Sequence, residues 1–182
     1  MNNEVYSSSN NKVSIKCIFV FALVISIIGI IILSIYYSTP RYNHVEFENY
    51  NIYIPAGMAY EIQEEEDYNK LAFNDNNCYY DLRIINDSSY VQYKYDDYKV
   101  LREFFGKNNY QIKSIKEVIY ENNSFIIAKL TSNNDNYYFY IYDVVDSDDL
   151  FVGYIYNTDE STEIESLNKL YDMLIKTKIR SW

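Results

Sequence analysis

Histidine is all but missing from this chain: His44 is the single copy in 182 residues. Catalysis at neutral pH uses histidine as general base more often than any other side chain. Ser–His and Cys–His machinery of the usual kind is therefore not expected. Cysteine is confined to Cys17 and Cys78, too few for a disulfide framework or, with one histidine, for a His/Cys zinc site. Glycine occurs four times and proline twice, and neither a glycine-rich phosphate loop nor a nucleophile elbow is present. Positive charge is the minority sign, with 16 Lys and Arg against 26 Asp and Glu and a net charge of −10. Such a chain is repelled by nucleic acid and by anionic lipid surfaces. The expectation is a non-enzyme with no cofactor and no nucleic-acid partner.

What is present begins with an apolar run. From Cys17 to Tyr37 there is no charged residue. At about 1.5 Å per residue, roughly 20 residues in a helix cross a bilayer core about 30 Å thick. Lys12 and Lys16 precede the run and Arg41 follows it, so the positive-inside bias places the N-terminus in the cytoplasm. The run is longer than a signal-peptide core, and the exit from Leu33 to Pro40 offers no small-x-small cleavage site. The expected organisation is a cytoplasmic tail (1–16), an uncleaved single-pass signal-anchor (17–37), a linker (38–44) and an extracytoplasmic domain (45–182). With no disulfide framework, a bacterial cell envelope is the expected setting. From Arg41 onward the chain holds 25 acidic and 14 basic side chains, 14 − 25 = −11, which suits a basic partner or bound cations. Cys78 is expected buried as a small hydrophobe.

From Val45 the apolar period becomes two, the signature of strands. Residues 51–54 and 58–62 read as a hairpin about Pro55 and Gly57. Residues 70–73 and 79–85 are the next two strands, separated by the turn cluster 74–77. Asp96 and Asp97 mark a helix start, with Tyr98, Leu101 and Phe105 at helical spacing and Gly106 at the end. Four strand-like runs follow, 111–120, 124–131, 137–144 and 150–156. Their short connections imply an antiparallel meander. The chain closes on an amphipathic helix with Thr162 and Glu165 as a capping box and Ile164, Leu167, Leu170, Tyr171 and Leu174 as one apolar stripe. The fold class is α+β: after the transmembrane helix, an antiparallel sheet of about 6–8 strands carries two helices, the last at the C-terminus.

The segment Tyr50-Asn51-Ile52-Tyr53-Ile54-Pro55-Ala56-Gly57-Met58, the paired runs 137–143 and 150–156 and the closing helix together resemble the PsbP/Mog1-like domain family over about residues 45–179. That resemblance implies an accessory or binding role. It supplies no shared catalytic residues.

Three constellations are candidates for binding. Tyr138, Tyr140 and Tyr142 share one face of a strand, as do Tyr154 and Tyr156 on the next. Flat aromatic faces of this kind stack on sugar rings or clamp a peptide, although Tyr serves equally as a core residue. AT-rich coding is the alternative source of the 23 tyrosines. Asp146, Asp148 and Asp149 form a tight acidic loop able to converge on calcium, but it lacks the glycine and distal glutamate of an EF-hand. A hairpin turn uses Asp in the same way. Glu64 to Asp67 is a charge run read as a solvated loop, and His44 as a solvated linker residue. The functional expectation is a membrane-anchored, non-catalytic accessory module for another envelope protein. The alternatives are a polysaccharide binder working through the tyrosines and a calcium-responsive sensor.

Overall fold

The computed structural model describes residues 15–38, 41–75, 78–87, 89–133, 135–157 and 162–180. Most of the expected tail, positions 39–40 of the linker and positions 76–77 of the turn cluster lie outside these. The chain divides into two compact units, up to Pro40 and from Arg41 onward.

The described residues of the first unit form one helix, α1 (Ile15–Ser38). Its stretch Phe19–Tyr37 has a mean hydropathy of 2.9, and none of it is buried. The helix is apolar on every side, the pattern of a membrane span or of a helix buried within protein. Ser26 returns its hydroxyl to the Ala22 carbonyl at 2.9 Å, so a polar atom within the stretch is satisfied inside the helix.

Among the described residues the second unit contains ten strands and two helices in chain order: β1 (Tyr42–Phe47), β2 (Tyr50–Pro55), β3 (Ala59–Glu64), β4 (Asn69–Asn74), β5 (Cys78–Asn86), α2 (Tyr90–Lys107), β6 (Gln111–Tyr120), β7 (Asn123–Ser132), β8 (Asp135–Asp143), β9 (Asp149–Asn157), α3 (Glu163–Lys176) and β10 (Lys178–Ile179). Seven strands form one antiparallel sheet in the order β3-β4-β5-β9-β8-β7-β6. The expected meander is its β6–β9 half. A smaller antiparallel sheet has the order β1-β2-β10.

Period-two alternation gives each face of the large sheet its own core. On one side Tyr80, Leu82, Phe125, Ile127, Tyr138, Tyr140, Tyr142, Phe151 and Ile155 meet Leu170, Met173 and Leu174 of α3 and Phe47, Tyr50, Ile52 and Ile54 of the small sheet. On the other, Ile126, Ala128, Leu130, Phe139, Ile141 and Leu150 meet Tyr90, Leu101 and Phe105 of α2. Each large apolar side chain so buried is worth about 1.5–3 kcal/mol relative to exposure.

The structure departs from the sequence expectations in five places. The run 58–62 does not pair with 51–54: β3 joins β4 in the large sheet, while β2 pairs with β1 and β10. Gly57, at φ +98 in the turn between them, redirects the chain from one sheet to the other. The linker ends earlier than position 44, because β1 begins at Tyr42 and pairs Tyr42 with Pro55. His44 consequently lies in a strand, with Nε2 2.8 Å from Asn51 Oδ1. Helix α2 starts at Tyr90, six positions before Asp96, and is broken where Asp96, Asp97 and Tyr98 take φ of 51, 53 and 60. Left-handed backbone costs a non-glycine residue about 1–2 kcal/mol, so Asp96 and Asp97 mark this break and the helix resumes after it. Finally, Thr162 occupies the N-cap of α3 without a side-chain cap bond, and Glu165 pairs instead with Lys169 at 2.8 Å. The apolar stripe gains Met173, which is fully buried, and loses Ile164, which is 75% exposed.

Candidate functional site

Strand β5 carries two charged residues on the face turned to α2, Asp81 and Arg83. Asp81 is 1% exposed. Its Oδ1 accepts the Tyr154 backbone N–H at 2.7 Å and its Oδ2 accepts the Tyr156 hydroxyl at 3.3 Å. Its backbone carbonyl accepts the Tyr140 hydroxyl at 2.7 Å. The β5–β9 ladder pairs Tyr80 with Ile155 and Arg83 with Val152 and skips the positions between. Side-chain bonds thus satisfy the Tyr154 N–H and the Asp81 carbonyl at the gap in place of ladder bonds. Tyr140 stands opposite Gly153 in the β8–β9 register. Its hydroxyl reaches β5 because Gly153 has no side chain in the way.

Burial raises the Asp81 carboxyl above its ordinary range, against the lowering effect of the Tyr154 N–H and the Arg83 charge. The folded state therefore holds the Asp81 proton more tightly than the unfolded chain does. This group's contribution to stability is full below the ordinary carboxylate range and declines as pH rises through the folded value. The variant Asp81→Asn should lose less stability than the wild type as pH rises from the acid range to neutrality. Urea titrations at a series of pH values test this, and identical slopes in the two proteins would contradict it.

Arg83 follows two residues later. Its guanidinium carbon lies 4.2 Å from the ring centroid of Tyr68, a cation–π contact. Beside it, between α2 and the sheet, is a partly open cleft of about 270 Å³. Tyr93, Val100, Leu101 and Phe104 of α2 form its upper wall, and Ile85, Phe139, Ile141, Val152, Gly153 and Tyr154 form its floor. Tyr93 is pinned by its hydroxyl to Asp87 at 2.7 Å. That bond, with the Ser89 N–H, holds the Asp87 carboxyl below its ordinary range. Val100 and Phe104 remain 47% and 46% exposed at the rim.

The sequence-derived candidates are distributed differently from the expected platform. Tyr138, Tyr140 and Tyr142 are 4%, 0% and 4% exposed beneath α3 and the small sheet. Tyr154 and Tyr156 are half-buried, and Tyr154 packs into the opposite core. The two sets therefore form no single aromatic face. Instead Tyr140, Tyr154 and Tyr156 converge on Asp81. Asp149 spends Oδ2 on the Tyr50 hydroxyl at 2.7 Å and Oδ1 on Asn86 at 3.0 Å. Asp146 sits at φ +64 in the turn, and the Asp148 carbonyl accepts the Asp87 N–H at 3.0 Å. Among the described residues no three His, Cys, Asp or Glu side chains come together to hold a metal ion. In the run 64–67, Glu65 pairs with Lys70 at 3.6 Å. Cys78 is buried, 2.8 Å from the Ser166 hydroxyl.

Asp81, Arg83 and Gly153 were not singled out by the sequence reading. Two signals stand in the sequence: charges at spacing two within the apolar strand Tyr79–Ile85, and a lone glycine in a strand run, which marks close backbone approach.

No protein-family model matches the sequence, and no curated protein matches it. Among solved structures, the chain is similar to cyanobacterial PsbP (CyanoP) from Synechocystis at 8% identity and a TM-score of 0.45, covering 79% of this chain and 95% of that one. It is also similar to the Ran-binding protein Mog1p of Saccharomyces cerevisiae, at 11% identity and a TM-score of 0.46 over 78% and 96% of the two chains. A Pseudomonas aeruginosa protein of unknown function, described as a putative regulator, is similar at 6% identity and a TM-score of 0.40, over 78% and 99%. The first two are of the PsbP and Mog1 kind that the order of strands and helices resembles.

Proposed function

We propose that this chain is a membrane-anchored, non-catalytic binding module that docks on another envelope protein through the outer face of α2. The observation that carries the reading is that α2 turns large apolar side chains away from the core. Val91 and Tyr95, four positions apart on α2, are each 74% exposed. Apolar groups clustered on one element mark contact surfaces. Segment 17–37 is the anchor in this reading, with the N-terminus cytoplasmic and the α+β unit outside. Anchoring confines the unit to two dimensions and raises its effective concentration near membrane partners. The net charge of −11 from Arg41 onward, 14 basic less 25 acidic residues, favours a partner with a basic rim.

The test is site-specific photocrosslinking in the native membrane of the source cells. A crosslinking residue replaces Val91 or Tyr95 in the full-length chain, and Ile164, on α3, serves as control. One discrete protein adduct from the two α2 positions, absent from the control, is expected. Equal adduct patterns from all three positions would overturn the reading.

A further inference from the structure

The cleft beneath α2 differs from a packing defect in having a cation at its edge. Arg83 lines it, and its Nε is buried without a hydrogen-bond partner among the described residues. A buried guanidinium N–H left unanswered is costly. Stacking on Tyr68 fixes the group's position without answering its donors. Asp81, the nearest carboxylate along β5, already has both oxygens engaged, by the Tyr154 N–H and the Tyr156 hydroxyl. The Nε itself is closed to solvent, so an incoming anion would pair with the charge of Arg83 from the side that lines the cleft.

The remaining walls restrict what the anion is attached to. Apart from Arg83, the hydroxyls of Tyr93 and Tyr154 are the only side-chain polar groups in the lining among the described residues, and Asp87 already holds that of Tyr93. A peptide would bury backbone N–H and C=O groups that need partners. Strands β5, β8 and β9 each have two neighbours in the sheet, so the floor has no free edge for strand addition. A hydrocarbon chain makes no such demand. The volume of about 270 Å³ holds roughly nine groups the size of a water molecule, which suits one short chain and excludes a two-chain lipid. With one cation in the lining, a singly charged planar head matches the guanidinium fork.

We infer that the cleft is a binding site for a free medium-chain alkyl carboxylate, its carboxylate on Arg83 and its chain between Phe104 and the floor residues Phe139, Ile141 and Val152. This goes beyond the docking reading and does not depend on it, because it concerns the space under α2 and not the helix's outer face.

The test uses the full-length chain in phosphatidylcholine nanodiscs and a diazirine-bearing decanoate as photoprobe, with no partner present. Adducts mapped by mass spectrometry are expected on α2 and on β5, β8 and β9. Decanoate should displace the probe about ten-fold better than decanol at equal free concentration, the scale of one hydrogen bond to a charged group. Arg83→Gln should bring decanoate down to the level of decanol and leave decanol unchanged. Val152→Trp, which fills the cleft, should abolish displaceable labelling by both. Circular dichroism confirms that each variant is folded, and if Arg83→Gln is not, the decanoate-to-decanol ratio on the wild type decides alone. Labelling confined to α1, equal displacement by decanol in the wild type, or a preference for decanoate that survives Arg83→Gln in the folded protein would overturn the inference. Stronger displacement by a short apolar peptide with a free C-terminus would overturn it in favour of a peptide ligand.

Discussion

Raising the pH about one unit above 10 should unfold the α+β unit in a single cooperative step. Seven tyrosines among the described residues are buried: Tyr50, Tyr80, Tyr90, Tyr138, Tyr140, Tyr142 and Tyr171. Burial raises every one of them above the ordinary value of 10.0, with Tyr50, Tyr90, Tyr138 and Tyr171 pushed up to about 12. The fold thus holds these protons more tightly than the unfolded chain does. Their contribution is intact below pH 10 and is lost as pH rises from there toward the folded values. One unit above the unfolded value, each such group costs about 1.4 kcal/mol. The six other than Tyr142 together cost about 8 kcal/mol, comparable with the whole stability of a typical domain, about 5–15 kcal/mol. Solvent screening at the part-buried hydroxyls of Tyr50 and Tyr90 trims this sum without changing the comparison. Tyrosinate absorbance and near-UV circular dichroism, followed together, should show the buried set ionising as tertiary structure is lost. Persistence of the near-UV signal a full unit beyond pH 11 would sink this prediction.

The same tyrosines show why some of the structure was legible in the sequence and some was not. Tyr138, Tyr140 and Tyr142 alternate with Phe139 and Ile141, so the strand and its two faces follow from period two alone. What period two leaves open is which face is covered and by what. Here both faces are covered, one by α3 and the small sheet and the other by α2. A tyrosine serves at a surface or in a core because only its tip is polar, so its identity did not decide the matter. The β6–β9 meander was readable for a related reason: short polar turns leave consecutive strands no partner but each other. Strand β2 had no such constraint. Its partners are β1 and a two-residue strand at the far end of the chain, with Lys178 opposite Asn51. Two residues carry no periodicity, and Arg180 secures that end by donating its N–H to the Asn49 carbonyl at 2.8 Å and by pairing with Glu46 at 3.0 Å. Contacts between residues more than a hundred positions apart leave no local pattern to read.

The candidate cleft was illegible for a different reason. Its walls are apolar residues of α2, β5, β8 and β9, and α2 is broken at Asp96–Tyr98, between the lining residues Tyr93 and Val100. A helical pattern in the sequence marks which residues face inward. It does not report whether the helix lies flat.

Replacing Gly153 with alanine should be the most damaging single-methyl change in the molecule. An added Cβ would overlap the Asp81 carbonyl oxygen and stand 2.8 Å from both Asp81 Oδ1 and the Tyr140 hydroxyl. None of these is the loose end of a flexible side chain. The carbonyl belongs to a central strand, Oδ1 is held by the Tyr154 N–H, and the Tyr140 hydroxyl is fully buried and bonded to that same carbonyl. To admit the methyl group, β5 must move away from β9, and the Tyr140 hydroxyl must give way as well. Either motion strands buried polar groups at the gap in the ladder. Overpacking costs about 1–3 kcal/mol and an orphaned buried hydrogen bond adds about 1–3 kcal/mol. A total near 3 kcal/mol corresponds to a thermal midpoint about 10 °C below the wild type. Tyr140→Phe isolates the hydrogen-bond part, since it keeps the ring and leaves the Asp81 carbonyl without its donor, so it should cost about 1–3 kcal/mol. The double variant Gly153→Ala with Tyr140→Phe should be more stable than the sum of the two single effects implies, because the two share one contact. Strict additivity in thermal melts of the full-length chains would mean that Gly153 is not held by Tyr140. A wild-type melting point in Gly153→Ala would remove the close approach altogether.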